Sequence, residues 1–474
     1  MLYINGEWKS SRQGEYLTVY NPATLEKVGE VAFGGKEDVE EAIYAASEAF
    51  KTWKKVTADE KSRYLKEIAI NLRDIEEELA TTITLEMGKP LKEALGEVRL
   101  AISYVDWYAE EAKRIYGETI PASAQNKRIL VLRDPIGVTG AITPWNFPAA
   151  MVTRKLAPAI AAGCPVILKP ASVTPLTAVK IFEAIDKAGL PKGVANLVHG
   201  PSNEVAQSLL DSTHVQKITF TGSTEVGKKL MREAANTVKK VSMELGGHAP
   251  FIVFEDADLE VAADAAIASK FRNAGQTCVC TNRIYVQEEV AKDFSQILTE
   301  KVKQLKIGNG LEEGTEIGPL INEESLAKVM EHVEDAITKG GNILCGGERE
   351  ILNQKGAFYQ PTVINNANES MKIAVEETFG PVVPIFTFKT EEEAIEKANH
   401  PFYGLASYCY TNDLGRAFRV MESLEYGIIG INDAMPTTAQ APFGGLKESG
   451  IGREGGKYGL SEYLEEKFVS LNIG

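Results

Sequence analysis

The chain has 474 residues, 44% of them hydrophobic, and a formal net charge of -15. Such a length allows two or three domains with substantial cores, and the acidic balance excludes nucleic acid and anionic membrane surfaces, which attract basic proteins. The opening Met1-Leu2-Tyr3-Ile4-Asn5-Gly6-Glu7-Trp8 lacks the order of a signal peptide, no run of about 18 apolar residues is available to span a bilayer, and five scattered cysteines (164, 278, 280, 345 and 409) fit a reducing cytoplasm.

In chain order, short strand-like pieces run to about Phe33 and helices follow. Val39, Ala42, Ile43, Ala46, Ala49 and Phe50 recur at helical steps, as do Leu65, Ile68, Leu72, Ile75 and Leu79, and then Leu95, Val98, Ile102 and Val105. These are amphipathic helices expected to cover one side of a sheet. Residues 128–133 read as a lone strand that must pair with something distant or with another subunit. Apolar runs at 138–143, 165–168, 195–198, 217–220 and 241–245 then alternate with helical patterns starting near Ala149, Pro175, Asn203 and Gly222. Short apolar strands between helices predict a Rossmann-like parallel sheet covered on both faces, with its ligand at the carboxyl ends of the strands.

A second α/β unit follows. It has strands at 250–254, 383–388 and 405–411 and helices at 289–305 and 324–338. Within it, residues 259–271 predict a helix with Val261, Ala265, Ile267, Ala268 and Phe271 on its apolar side, and 283–287 alternates as a strand. Between them, Lys270-Phe271-Arg272-Asn273-Ala274-Gly275-Gln276-Thr277-Cys278-Val279-Cys280 puts Cys278 on a loop between two rigid elements, where a reactive side chain is commonly presented. Taken alone Cys278 is a packed thiol as readily as a nucleophile. Glu244 ends an apolar strand ahead of two glycines, and Asn146 stands between prolines after another. A thiol, a carboxylate and an amide so placed make a nucleophile, a base and an oxyanion donor.

The blocks Pro144-Trp145-Asn146-Phe147-Pro148, Lys169-Pro170-Ala171-Ser172, Phe220-Thr221-Gly222-Ser223, Glu244-Leu245-Gly246-Gly247, Gly275-Gln276-Thr277-Cys278, Glu376-Glu377-Thr378-Phe379-Gly380-Pro381 and Pro442-Phe443-Gly444-Gly445 resemble, in this order and over nearly the whole chain, the aldehyde dehydrogenase superfamily. The resemblance implies a cofactor-binding domain at 1–118 and 137–246, a catalytic domain at 247–435, β oligomerisation strands at 119–136 and 461–474, and a cleft loop and return segment at 436–460. It implies oxidation of an aldehyde to an acid through a thioester on Cys278, with Asn146 and the Cys278 N–H holding the oxyanion and Glu244 activating water. Thr143, Pro144, Trp145, Lys169, Ala171, Ser172, Gly222, Ser223, Leu245, Glu377 and Phe379 are then the cofactor residues. Without the resemblance, Lys169 and Glu377 read as solvated charges and Gly222-Ser223 as an ordinary helix cap.

Relatives that prefer NAD often carry Glu where Ser172 stands. The neutral serine admits the 2′-phosphate, so NADP is the expected preference, with NAD as the other cofactor. Arg154 and Arg272 each read alone as surface or salt-bridge arginines, but the surrounding blocks are similar to those of succinate-semialdehyde dehydrogenases, whose matching arginines bind the substrate carboxylate. Thr437 replaces their serine in Met435-Pro436-Thr437-Thr438-Ala439-Gln440-Ala441, and Phe443 completes the substrate set. The expected substrate is succinate semialdehyde. A broad-range or glyceraldehyde-type dehydrogenase is the alternative, and a non-catalytic binding protein on the same fold the remote one. Cys280 is either a disulfide partner for Cys278 under oxidation or a small packed thiol. Histidines at 199, 214, 248, 332 and 400 show no ligand spacing, so no metal is expected. The resemblance further implies a cytoplasmic homodimer or homotetramer.

Overall fold

The computed structural model describes residues 1–351, 355–399 and 402–474, so His400 lies outside the described residues. An eight-stranded sheet runs in the order Glu7–Lys9, Leu2–Ile4, Ala195–Leu197, Val166–Lys169, Val138–Ile142, Val215–Thr221, Lys240–Glu244, Gly450–Ile451. Its five central strands are parallel. The order reverses between Val138–Ile142 and Val215–Thr221, which opens a crevice at their carboxyl ends. Val166–Lys169 is buried along its whole length, because helices cover both faces and leave no side for polar alternation.

The helices divide between the faces, which corrects the expectation that they share one side. Lys36–Trp53 packs Val39, Ala42, Ile43 and Ala46 with Val205, Leu209 and Leu230 on one face. On the other, Ala150–Ala162 and Leu176–Lys187 cover the sheet, with Ala58–Asp74 and Leu91–Glu111 packed outside them. The stripe from Leu65 to Leu79 is also two helices. Ile75, at φ -114° and ψ 19°, leaves the helical region and separates Ala58–Asp74 from Glu76–Met87.

The second sheet has seven strands in the order Asn342–Cys345, Thr362–Asn365, Val382–Phe388, Thr281–Gln287, Ala249–Val253, Ala406–Tyr410, Ile428–Ile431. Thr281–Gln287 is central and buried at every position, so the expected alternation is absent. Leu259–Lys270 is a helix as predicted, but its buried face is Ala262, Ala263, Ala266, Ser269 and Lys270, and Val261 is exposed. An alanine-rich helix offers small residues on several faces, so the large apolar side chain pointed to the wrong one. The lone strand, Lys127–Pro135, pairs antiparallel with Leu464–Asn472 of the same chain and with Glu118–Ile120. This small sheet leaves Ile120, Leu132 and Phe468 exposed. Among the described residues, no helix is long and apolar enough to cross a membrane.

Candidate active site

The helix Leu259–Lys270 gives way to a tight turn in which Asn273, Ala274 and Gly275 all take positive φ (54°, 53° and 75°). A Cβ on Gly275 would stand 2.1 Å from the carbonyl oxygen of Gly380, so only glycine fits there. Gln276 braces the loop: its Nε2 donates to Asn273 O at 3.0 Å, and its Oε1 accepts from Ile321 N at 2.9 Å. Tyr408 donates its hydroxyl to Val279 O at 2.5 Å. Cys278 is thus half-buried on a loop fixed at both ends. Burial pushes its thiol up to about 12, with Arg154 opposing and the carboxylates of Glu377 and Glu244 adding to the rise.

Glu244, at the end of Lys240–Glu244, is buried with one carboxylate oxygen, Oε2, unpartnered. Burial, and then the nearby Glu454, hold its carboxyl well above the usual range, against Arg154 and Lys155. Two glycines make the room. A Cβ on Gly444 would come 2.7 Å from Glu244 Oε1, and one on Gly247 would come 2.3 Å from the Cys278 carbonyl oxygen. Asn146 is buried and donates its side-chain amide to Gln276 O at 3.0 Å, which joins it directly to the loop carrying Cys278. An amide nitrogen has two hydrogens, so one donor remains. The Asn146 amide is thus tied to the loop that carries Cys278, and Glu244 is close enough to act on the Cys278 thiol electrostatically.

The residues expected to hold the dinucleotide separate into two groups. Thr143, Pro144, Trp145, Lys169, Ala171, Ser172, Gly222 and Ser223 line a single cleft of about 690 Å³ at the reversal of strand order. Lys169 is buried, not solvated. Its Nζ donates to Ser202 Oγ at 2.8 Å, and burial pulls its pKa down to about 8. Two buried hydroxyls on this cleft, Thr143 Oγ1 and Thr221 Oγ1, have no partner. Ser223 caps the helix Thr224–Ala234, whose N-terminus borders the cleft. Orphaned hydroxyls, a desolvated lysine and a helix N-terminus suit an anionic, hydroxyl-rich ligand such as a dinucleotide. Leu245 lies behind the cleft under Gly227. Glu377 and Phe379 stand across from it: Glu377 Oε1 accepts from Gly247 N at 3.2 Å, and Phe379 meets Trp145 edge-on with ring centres 5.7 Å apart. Burial raises Glu377 to about 7.

The two arginines fare differently. Arg154 is buried, ion-paired with Glu454, and lies 4.1 Å from the Phe443 ring centre. Arg272 is half-buried over the Phe147 ring at 5.1 Å, with its buried Nε unpartnered. Thr437 is half-buried on the irregular segment 432–440. Cys278 and Cys280 are both free thiols. Cys280 is buried, donates to Gly275 O at 3.4 Å and sits 3.8 Å from Lys270 Nζ. No group of three or more His, Cys, Asp or Glu side chains able to hold a metal occurs among the described residues.

Sequence reasoning missed Glu454 and Lys155. Lys155 Nζ lies 2.5 Å from Glu454 Oε1 and 3.1 Å from Thr219 Oγ1. Burial works against the Glu454 charge, but Arg154 and Lys155 hold its carboxylate below the usual range. The one available signal was a glutamate framed by glycines in Gly452-Arg453-Glu454-Gly455-Gly456.

The profile of the aldehyde dehydrogenase family matches residues 8–469. The chain is 51% identical to a glutarate-semialdehyde dehydrogenase of Pseudomonas putida, over 99% of this chain and 97% of that one. It is 50% identical to the NADP(+) succinate-semialdehyde dehydrogenase of Escherichia coli, with the same coverage. A solved structure, described as an E. coli NADP dependent enzyme, superposes with a TM-score of 0.98 at 50% identity, covering 100% of this chain and 98% of the other. With a family match over residues 8–469 and relatives about half identical along nearly the whole chain, the chain belongs to the aldehyde dehydrogenase family.

Proposed function

We infer that the protein oxidises an aldehyde bearing a distal carboxylate, succinate semialdehyde in the first instance, to the dicarboxylic acid, with NADP+ preferred over NAD+. The observation that carries this reading is Arg272. Its guanidinium is near the nucleophile loop and keeps a buried, unpartnered Nε that a substrate carboxylate would satisfy. The names of the Pseudomonas and E. coli relatives, which are for semialdehydes of dicarboxylic acids, agree with it.

In the reaction, Cys278 Sγ passes its proton through water to the Glu244 carboxylate, which releases it to solvent before the hydrolytic step, and the thiolate attacks the aldehyde carbon. The carbonyl oxygen becomes an oxyanion, held by the second amide hydrogen of Asn146 and the Cys278 N–H. A dinucleotide held by Lys169, Ser172, Gly222 and Ser223 would supply the hydride acceptor there, and loss of the aldehyde hydrogen as hydride would leave a thioester on Cys278. Glu244 takes a proton from water as its oxygen adds to the thioester carbon, the C–S bond breaks, and the acid product leaves Cys278 behind as the thiolate. Lys155 and Arg154 keep Glu454 charged, and its proximity keeps Glu244 a strong enough base for that step. Ser172, beside Lys169 in the cleft, puts a neutral side chain where NAD-preferring relatives often carry Glu, so no carboxylate at that position repels a 2′-phosphate. The exposed sheet of Glu118–Ile120, Lys127–Pro135 and Leu464–Asn472 is the assembly surface of a cytoplasmic homodimer or homotetramer.

The test is kcat/KM for succinate semialdehyde against butanal, of equal carbon count but uncharged, with NADP+ and with NAD+. Pairing a carboxylate contributes at least about 2 kcal/mol, a preference of roughly thirtyfold. Equal rates for the two aldehydes would return the assignment to a general aldehyde dehydrogenase.

A further inference from the structure

Lys89, just ahead of the helix Leu91–Glu111, and Glu93 and Glu97 on its first two turns stand four residues apart, and together they reach both Asn146 and the turn that leads to Cys278. The Lys89 and Glu97 side chains are 0% and 1% exposed, with Lys89 Nζ 2.5 Å from Glu97 Oε2. The same ammonium donates to the backbone carbonyl of Asn146 at 2.8 Å and sits 3.8 Å from the centre of the Phe147 ring. The other Glu97 oxygen accepts from Ala149 N at 2.8 Å and Ala150 N at 3.3 Å, which fixes the first turn of the helix that follows Asn146. Four residues back along the stripe, Glu93 Oε2 accepts from Asn273 N at 2.8 Å, in the turn that leads to Cys278. Asn273 closes the circuit by donating its amide to Asn146 O at 3.0 Å and to Gln276 O at 3.2 Å.

Asn146 O and Gln276 O each accept from two donors in this circuit, and Gln276 O is also where the Asn146 amide is anchored. A buried ion pair is a poor way to gain stability, since desolvation offsets its attraction. It is a good way to fix geometry when each end is spent on a different backbone group. We propose that Lys89, acting with Glu97, is a positioning residue that sets the Asn146 amide against Cys278, and that Glu93 sets the other side of the same gap through Asn273. None of the three touches the reacting atoms. The sequence hid them because a Lys and two Glu at helical spacing read as a solvated face.

The experiment is a double-mutant cycle on the first turnover, read as the rate at which reduced nicotinamide appears, with Lys89→Met and Asn146→Ala alone and combined. It rests on Asn146 serving the oxyanion. Lys89→Met is expected to slow the first turnover at least tenfold, to leave KM and the rate of Cys278 alkylation by iodoacetamide within about twofold, and to add less than twofold when Asn146 is already alanine. Glu97→Gln keeps the shape of the side chain and its acceptor for Ala149 N, and stands in if Lys89→Met fails to fold. An equal factor in both backgrounds would mean general structural damage and would overturn the proposal. Unchanged turnover in the Lys89 or Glu97 variant would overturn it as well. Full activity of Asn146→Ala by itself would instead remove the oxyanion role of Asn146, and the positioning role with it.

Discussion

Arg154 and Glu454 form an ion pair in which the side chains are only 3% and 6% exposed. The pair gives Arg154 a buried carboxylate partner that Arg272 does not share, so the two expected substrate arginines are separable by mutation. Replacing Arg154 with alanine leaves Glu454 buried with one cation fewer, a change that costs about 3–5 kcal/mol in stability and lowers turnover of succinate semialdehyde and butanal alike. Arg272→Ala is expected to erase the roughly thirtyfold preference for the acid aldehyde and to leave butanal largely unaffected. Urea denaturation and kcat/KM for both aldehydes separate the two outcomes. Parallel loss of both substrates in Arg272→Ala would make that arginine structural.

Glu244 governs pH dependence. A general base works only as the carboxylate, and burial beside Glu454 raises its pKa, so thioester hydrolysis speeds up with rising pH through a range above that of an ordinary glutamate. In Glu244→Gln the rise disappears, reduced nicotinamide forms in a single burst, and intact-protein mass spectrometry shows acyl-Cys278. Linkage has the opposite direction. Because the folded state favours the protonated form, the contribution of this group to stability is full below the unfolded pKa and is lost as pH rises through the folded one. The Gln variant is therefore expected to unfold at the higher temperature in alkaline buffer.

The sequence was legible where chemistry or geometry leaves a local mark. Five short apolar runs between helical patterns gave the parallel sheet, and Pro-framed Asn146 and the Gly-Gln-Thr-Cys block gave the pocket. Legibility failed where only the fold distinguishes a buried charge from a solvated one. Lys89, Glu97, Lys155 and Glu454 look in sequence like surface residues, and all four Nζ or carboxylate groups find partners across more than 50 residues. Lys169 was placed by family resemblance, yet its burial was invisible for the same reason. The face of Leu259–Lys270 was misread because alanine is at home on either side.

Ser172 lines the cleft beside Lys169, and Ser172→Glu is expected to reverse the cofactor preference. A carboxylate within a few ångströms of a 2′-phosphate is repelled by several kcal/mol in a partly buried setting, and it accepts hydrogen bonds from a ribose 2′-hydroxyl. The ratio of kcat/KM for NADP+ to that for NAD+ should fall at least tenfold, with kcat for NAD+ retained. An unchanged ratio would place the 2′-phosphate away from Ser172.

Phe468 is 67% exposed on the strand Leu464–Asn472. With Ile120 and Leu132 also exposed on this small sheet, it carries the apolar surface expected of the proposed assembly face. Phe468→Glu should shift the mass found by light scattering toward a smaller assembly while the isolated fold keeps its far-ultraviolet dichroism. A variant with the wild-type mass would move the assembly surface off this sheet.

Gly247 tests how closely the nucleophile loop must seat. Its N–H donates to Glu377 Oε1 at 3.2 Å, and an added Cβ would lie 2.3 Å from the Cys278 carbonyl oxygen and 3.2 Å from Leu405 Cβ. The first contact is with backbone, so it cannot be relieved by turning a side chain. Cys278 must retreat or the Glu244–Gly247 segment must shift, and either motion moves the thiol relative to the Asn146 amide. A displacement of about 1 Å at a reacting centre lowers rate by about 10²-fold. Gly247→Ala is therefore expected to fold, to bind NADP+ in the cleft bounded by Lys169 and Ser223, and to lose kcat on that scale for every aldehyde. Fluorescence titration with the cofactor and steady-state kinetics would read the two effects separately, and a near-normal kcat would show that the loop accommodates the methyl group without moving Cys278.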